Sequence, residues 1–371
     1  MAHLNWQNLV GQDRIKEVLG SAFAAASLGH AYLFCGDAGT GKFQAAVELA
    51  AAMLCLNPQN APCQNCDSCR KVANNAHPDL HIVYPVTLAA ELKSTDGKLS
   101  EKGWDALAKL TARRIGNPYL QLEYSGNPVI PVELIRELNH AVVRGSIDGI
   151  ASVAIVDGID VMKKESANAM LKILEEPPEK TLFILTTERQ HAVLPTIVSR
   201  SQVVRFGYLP AETIVRRLKE LRPEAEDSTL AAAADFAMGS FGRALGLVDN
   251  PVEDAARTAR LLWELCLMQD WHKIGRTLDS FLPSANYELC RQIFIQMMYF
   301  IRTRLFADIS DASAEEIRMR RVRGCWQADK LLHICQRAVS ALQSNGNMLI
   351  VCVNALMEAM EILHGEKQQS R

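Results

Sequence analysis

The feature that most constrains this chain is an apolar segment that runs directly into a glycine-rich turn. Residues 31–35 are apolar, the turn has the spacing Gly36-x-x-x-x-Gly41-Lys42, and residues 44–56 have the composition of a helix. A strand, turn and helix of this kind form a phosphate-binding loop, in which backbone N–H groups face an anion and the lysine neutralises phosphate. The sequence therefore predicts a phosphate site formed by Gly36, Gly39, Thr40, Gly41 and Lys42.

Two positions depart from the pattern of an ATP-hydrolysing site. Such loops carry Ser or Thr after the lysine, whose hydroxyl binds Mg²⁺, whereas this chain has Phe43. The acidic pair that should end a neighbouring strand is incomplete, because Asp157 precedes Gly158 and not a glutamate that activates water. Asp157 is either a residual metal ligand or an acid that caps the next helix. Both departures argue against hydrolysis, but they leave open whether the loop binds nucleotide.

Length and composition set the outer limits of the prediction. The chain has 371 residues, 49% of them hydrophobic, which is enough for two or three domains with apolar cores. A net charge of −2 provides no overall basic field for nucleic acid. No export signal is visible at the N-terminus. The apolar residues 348–363 are interrupted by Asn354, Glu358 and Glu361, which favours a buried helix, so we expect a cytoplasmic protein without a membrane segment.

Strand and helix patterns alternate up to residue 206 and only helical patterns follow. Apolar runs predict strands at residues 31–35, 80–84, 152–157, 181–186 and 202–206. This alternation predicts a doubly wound parallel α/β sheet with its ligand at the carboxyl ends of the strands. Three domains are expected: an α/β core at 1–207, a small helical lid at 208–249 and an all-helical domain at 250–371. A polar stretch at about 86–128, partly helical over 101–114, is interpreted as a surface insertion without chemistry.

Four cysteines are grouped with the spacing of a metal site. Cys55-x7-Cys63-x2-Cys66-x2-Cys69 supplies four thiolates on tight loops that can wrap a tetrahedral ion. The alternative, four unconnected core cysteines, is disfavoured because the intervening residues are mostly polar. Four thiolates leave no open coordination position, so the sequence predicts structural zinc at residues 55–69.

Several of these stretches resemble the bacterial clamp-loader subunits of the AAA+ class. The resemblance rests on the phosphate loop, the cysteine cluster within the core, and the segments 169–178 and 197–201, and it covers residues 8 to about 245 except the insertion. It implies an AAA+ core with a zinc-binding module, a helical lid and a helical collar domain. The gamma/tau subunits of DNA polymerase III carry Thr after the loop lysine and an Asp-Glu pair. The departures at Phe43 and Gly158 therefore favour the delta-prime type.

The resemblance also implies a function and its residues. A delta-prime type chain is a non-catalytic stator in a hetero-oligomeric ring with gamma/tau and delta subunits, which loads a sliding clamp on primed DNA as part of a DNA polymerase holoenzyme. Arg200, in Ser199-Arg200-Ser201, would act as an arginine finger on a neighbour's ATP. Arg243 matches a lid arginine that senses nucleotide, and with Asp157 and the loop it would complete a degenerate nucleotide site; the alternative is a residue at a helix start that only contacts the core.

Two other functions remain open at this point. An ATP-hydrolysing motor subunit of the gamma/tau type would need a working site despite Phe43 and Gly158. A stand-alone nucleotide-binding regulator would bind ATP tightly without partners. Glu175 and Glu176 end a predicted helix, where negative charge is unfavourable, and this indicates a contact outside the helix, with a neighbouring subunit or facing DNA.

Overall fold

A computed structural model describes residues 3–87, 100–120, 122, 128–249, 253–282, 287–307, 314–343 and 346–364. The chain forms two compact units, Met1–Asp249 and Asn250–Arg371. Each unit has its own buried apolar residues.

Five parallel strands form the centre of the first unit in the order β2-β3-β4-β1-β5. They are β1 (Ala31–Cys35), β2 (Leu80–Val83), β3 (Ser152–Val156), β4 (Thr181–Thr187) and β5 (Gln202–Arg205). Every residue of β1, β3 and β4 is buried, as in a parallel sheet that is covered on both faces. The strands predicted from the apolar runs are thus confirmed to within one residue at each end.

Helices cover both faces of this sheet. They are α1 (Asp13–Ala24), α2 (Lys42–Met53), α3 (Asp67–Ala73), α4 (Glu101–Gly116), α5 (Val132–Val143), α6 (Lys164–Glu175) and α7 (Pro195–Val198). One core contains Phe34 of β1 with residues of α1, α2 and α3, and the other contains Leu33 with residues of α5 and α6. Neighbouring side chains of a strand point to opposite faces, so β1 contributes to both cores.

Three more helices complete the first unit. They are α8 (Ala211–Leu221), α9 (Asp227–Phe236) and α10 (Phe241–Asp249). Their buried side chains form a separate cluster, which Val10 and Tyr119 join from the rest of the unit. Tyr119 packs edge-on against Phe241, with ring centres 4.8 Å apart.

The polar stretch at 86–128 contains the helix expected there. Its helix α4 is capped by Ser100, whose hydroxyl accepts a hydrogen bond from the backbone N–H of Gly103 at 3.2 Å. Residues 88–99, 121 and 123–127 of the predicted insertion lie outside the described part of the chain. The described part is not confined to the surface, because Ile115 and Tyr119 are buried.

The second unit is helical throughout its described residues. It contains α11 (Glu253–Met268), α12 (Trp271–Phe281), α13 (Tyr287–Ala307), α14 (Ala314–Gln343) and α15 (Met348–His364). Their apolar faces share one core. The helix α12 was not predicted from the sequence. None of the described helices combines the length and the apolar character needed to span a membrane.

Candidate functional site

The phosphate-binding loop lies at the carboxyl end of β1, as the sequence predicts. The strand ends at Cys35 and α2 begins at Lys42, so the loop leads straight into a helix N-terminus. The Lys42 ammonium donates hydrogen bonds to the carbonyl oxygens of Gly36 at 2.7 Å and Asp37 at 2.8 Å. Burial lowers the pKa of Lys42, against the attraction of nearby carboxylates that include Asp157. The Lys42 side chain therefore binds the backbone of its own loop.

The start of α10 touches this loop. Ser240 donates from its hydroxyl to the carbonyl oxygen of Ala38 at 2.8 Å, and Gly242 donates from its N–H to the carbonyl oxygen of Gly39 at 2.9 Å. Arg243 follows directly, and its N–H donates to the Ser240 hydroxyl at 3.3 Å. The structure thus brings Arg243 beside the loop, as expected.

Asp157 follows β3 and is held from two sides. Its Oδ1 accepts a hydrogen bond from the Thr186 hydroxyl at 2.5 Å, and its Oδ2 lies 3.3 Å from Nη2 of Arg114. The Arg114 guanidinium carbon also lies 4.4 Å from the centre of the Phe43 ring, which is within the range of a cation–π contact. Arg114 lies on α4, in the stretch that sequence reasoning left without chemistry. These two contacts were not anticipated from the sequence.

The backbone after Asp157 explains why a glutamate is absent there. Gly158 has φ +66°, in the left-handed region, and a Cβ at this position would lie 3.0 Å from Cγ of Pro85. Asp160 does not take the glutamate's place. Its carboxylate accepts hydrogen bonds from the Thr187 hydroxyl and from Nε of Arg189, both at 2.9 Å.

The cysteine cluster brings four sulfur atoms together at distances compatible with a zinc ion. The four Sγ atoms of Cys55, Cys63, Cys66 and Cys69 lie within 4.8 Å of one another. The Sγ atoms of Cys55 and Cys66 are 3.9 Å apart. Zn–S distances of about 2.3 Å in a tetrahedron place two sulfurs about 3.8 Å apart. These residues could therefore hold a zinc ion.

Backbone hydrogen bonds favour a thiolate at Cys63, whereas burial raises the pKa of Cys55 and Cys69. The N–H of Cys66 donates to Sγ of Cys63, and the N–H of Cys69 donates to Sγ of Cys66, both at 3.4 Å. Backbone donors at Cys66 and Asn65 lower the pKa of Cys63 to about 6. Cys55 and Cys69 are buried within the core, although the residues between the cysteines are mostly polar.

A second group, His77 with Asp79 and Asp148, does not fit a metal ion. Nδ1 of His77 accepts a hydrogen bond from the N–H of Asp79 at 3.1 Å, so the proton of the neutral ring is on Nε2 and that nitrogen has no free lone pair. Burial lowers the pKa of His77, which favours the neutral ring. The Asp79 carboxylate accepts from the N–H groups of Ile147 and Asp148 and from the Ser146 hydroxyl. This group holds a loop in place.

Arg200 lies at the amino ends of the strands, whereas the phosphate loop lies at their carboxyl ends. It precedes β5, whose first residue Gln202 pairs with Tyr32 near the start of the parallel strand β1. The phosphate loop follows the other end of β1. Strands of this length span about 16 Å, at about 3.3 Å per residue. The two predicted sites are thus not brought together within this chain.

Comparisons with known proteins agree with one another. The family described as "DNA polymerase III, delta subunit" matches residues 11–210, more than half of the chain. DNA polymerase III subunit delta' of Bacillus subtilis is 32% identical over 292 residues, 78% of this chain and 75% of that protein. The chain belongs to the DNA polymerase III delta subunit family. The residues that match the family model contain all the strands of the sheet, the cysteine cluster and Arg200.

Other members of the wider DNA polymerase III group are also similar to the chain. Subunit tau of Bacillus subtilis is 28% identical over 252 residues, 67% of this chain, and this chain covers only 38% of its length. A solved gamma subunit-related protein from Thermotoga maritima aligns with 93% of this chain and 99% of its own, at 15% identity and a TM-score of 0.44.

In this member of the DNA polymerase III delta subunit family, Arg200 has partners within the chain. Its Nη2 lies 2.6 Å from Oε1 of Glu175, the last residue of α6, and its Nη1 donates to the carbonyl oxygen of Thr196 at 3.0 Å. Glu175 thus has a partner within the chain, while the contact with a neighbour or DNA expected for Glu175 and Glu176 stays a prediction. The Arg200 side chain remains 34% exposed.

Proposed function

We propose that this chain is a non-hydrolysing subunit of the delta-prime type in a bacterial DNA polymerase III clamp loader, and that Arg200 acts on the ATP of a neighbouring subunit. The observation that carries the proposal is the position of Arg200. It is partly exposed at the end of the sheet opposite to the chain's own phosphate loop, so any nucleotide that it reaches must be bound by another subunit. A guanidinium is suited to this role because it stabilises charge that develops on a transferred phosphoryl group.

The chain's own phosphate loop supports the absence of hydrolysis. Phe43 replaces the hydroxyl that binds the metal, and Gly158 replaces the carboxylate that activates water. Asp160 is engaged with Thr187 and Arg189 and does not substitute for that carboxylate. In this proposal Lys42, Asp157 and Arg243 belong to a degenerate nucleotide site.

The ion pair of Arg200 with Glu175 does not oppose the proposed role. Exposed ion pairs contribute about 0–1 kcal/mol, and both side chains are at least a third exposed. Arg200 can therefore leave Glu175 for a phosphate at small cost. Glu175 keeps the guanidinium in place until a neighbour binds.

The other parts of the proposal follow from the resemblance and the family. The partners would be gamma/tau and delta subunits in a ring, and through them a sliding clamp and primed DNA in the cytoplasm. The second unit would act as the collar that holds the ring, residues 208–249 as the lid, and the cysteine cluster as a structural zinc site. The chain would be a component of a DNA polymerase holoenzyme without an ATPase activity of its own.

The alternative is an ATP-hydrolysing subunit of the gamma/tau type, which the match to subunit tau keeps in view. The two functions differ in what the isolated chain does. We expect no ATP turnover by the purified chain with Mg²⁺ and primed DNA. Turnover at the rate of ordinary ATPases of this class would establish the alternative.

The variant Arg200→Ala tests the proposed role in the reconstituted complex. We expect normal assembly and a loss of roughly 10³-fold or more in the rate at the one site that faces this subunit, measured in a single turnover. Arg222→Ala is the matched control, because Arg222 pairs with Asp249 at the same 2.6 Å distance and has a similar exposed fraction, 35%. A complex with Arg200→Ala that hydrolyses ATP as fast as the control would refute the role.

A further inference from the structure

Asp157, the carboxylate that would hold a divalent cation in an ATP-hydrolysing site, is paired in this chain with the guanidinium of Arg114. Oδ2 of Asp157 faces Nη2 of Arg114 at 3.3 Å, and Oδ1 is occupied by the Thr186 hydroxyl. The two charged side chains are largely withdrawn from solvent, with exposed fractions of 12% for Arg114 and 14% for Asp157. A pair this shielded is weakly screened by salt, so each charge is balanced by the other.

Phe43 is part of the same arrangement. Its ring lies beneath the guanidinium at 4.4 Å and is itself packed against Tyr84, with ring centres 5.7 Å apart. Phe43 is 3% exposed. The residue that removes the metal's hydroxyl ligand therefore also provides the surface on which the guanidinium stacks. Phe43 thus both lacks the metal-binding hydroxyl and contacts Arg114.

The segment that supplies Arg114 is fixed to the loop region by a second contact. The Tyr119 hydroxyl, three residues after α4, accepts a hydrogen bond from the N–H of Val10 at 2.9 Å and donates to the carbonyl oxygen of Asn8 at 3.3 Å. Tyr119 is 7% exposed. Arg114 is thus held on both sides, by its own stacking and by an anchor just beyond the helix.

We infer that Arg114 occupies the place of the divalent cation, so that the phosphate loop of this chain excludes Mg²⁺ and admits a phosphate-bearing ligand only as a metal-free anion. A divalent ion on Asp157 would have to displace the guanidinium from a carboxylate and remain beside it, with no hydroxyl at position 43 to complete its coordination. The residues present do not fit Mg²⁺. The inserted helix α4 thereby supplies the positive charge that pairs with Asp157.

The inference concerns the chain's own loop, whereas the proposed function concerns Arg200, so each can fail without the other. The test counts bound Mn²⁺, a spectroscopic stand-in for Mg²⁺, by electron paramagnetic resonance on the isolated zinc-loaded chain with saturating ADP. We expect no bound Mn²⁺ in the wild type. The variant with Phe43→Thr and Arg114→Ala should bind about one Mn²⁺ per chain.

Arg113 offers a matched control, because it is the adjacent arginine of α4 and is exposed. Phe43→Thr combined with Arg113→Ala should bind no Mn²⁺, since Arg114 still holds Asp157. The variant Phe43→Thr with Arg114→Met, which fills more of the vacated space, repeats the measurement if the alanine variant is unfolded. Mn²⁺ bound by the wild type or by the Arg113 control, or none bound by either folded Arg114 variant, overturns the inference.

Discussion

Restoring the missing glutamate by Gly158→Glu should damage the protein and not revive it. Gly158 has φ +66°, and a residue with a side chain loses about 1–2 kcal/mol in this left-handed conformation. Its Cβ would lie 3.0 Å from Cγ of Pro85, and relieving such crowding costs about 1 kcal/mol more. Gly158→Ala should therefore lower the free energy of unfolding by about 2–3 kcal/mol. Gly158→Glu should lower it by about 3–4 kcal/mol, because it adds a second carboxylate beside Asp157.

Gly149 provides the control for the backbone contribution. It has φ +74°, and no heavy atom of the described residues lies within 4 Å of the position its Cβ would take. Gly149→Ala should lower the free energy of unfolding only by the backbone contribution of about 1–2 kcal/mol. The difference between the alanine variants at 158 and 149 then measures the contact with Pro85.

Unfolding of the first unit can be followed through Cys35, which is buried in β1. Its reaction with a thiol reagent at increasing urea concentration gives a midpoint for each variant, and the free energy follows from the linear dependence on urea. The double variant Phe43→Thr with Gly158→Glu should show no ATP turnover. The reasoning is refuted if Gly158→Glu is as stable as Gly149→Ala, or if the double variant hydrolyses ATP.

Two further predictions concern the cysteine cluster and the loop held by Asp79. Chelation should release about one zinc per chain and expose four reactive thiols, with Cys63 reacting first because backbone hydrogen bonds lower its pKa to about 6; protein purified without zinc and unchanged by chelation would contradict the site. Asp79→Asn should lose about 1.5–3 kcal/mol at pH 7, because burial would raise the pKa of Asp79 but its hydrogen-bond donors lower it. A depressed carboxyl pKa stabilises the fold fully above the unfolded value near 4, so the difference should shrink as the pH falls below that value and vanish only below the lower pKa of the folded state. A constant difference in pH-dependent urea titrations would exclude this cause.

The elements of the first unit were largely predictable because their signals are local. Each strand of the sheet is a short apolar run with turn residues around it. The sequence patterns did not indicate α3, the four-residue helix α7 or α12. The helix α3 is capped by the Cys66 thiol, which accepts from the N–H of Cys69, and sulfur is not a usual capping atom. In α12, Gly275 weakens the helical pattern of a short segment.

The site was only half predictable, and the two halves differ in the distances along the chain that they span. The loop, the cysteine spacing and the lone Asp157 can be read from contiguous residues. Arg114 meets Phe43 across 71 positions and Asp157 across 43, and no local pattern reports a pairing of that kind. A polar, charged helix is ordinarily solvated. The sequence gives one indirect indication of this contact: a basic inserted helix in a chain whose phosphate loop lacks its metal ligand.

Three positions around the phosphate loop are each constrained by their surroundings. Changing Phe43 alone removes the surface on which the guanidinium of Arg114 stacks. Changing Arg114 alone leaves the carboxylate of Asp157 without its charge partner. Changing Gly158 alone strains the backbone. Phe43 and Arg114 share one contact, so their effects on stability should not add: once either side chain has been removed, removing the other should cost less than it does in the wild type.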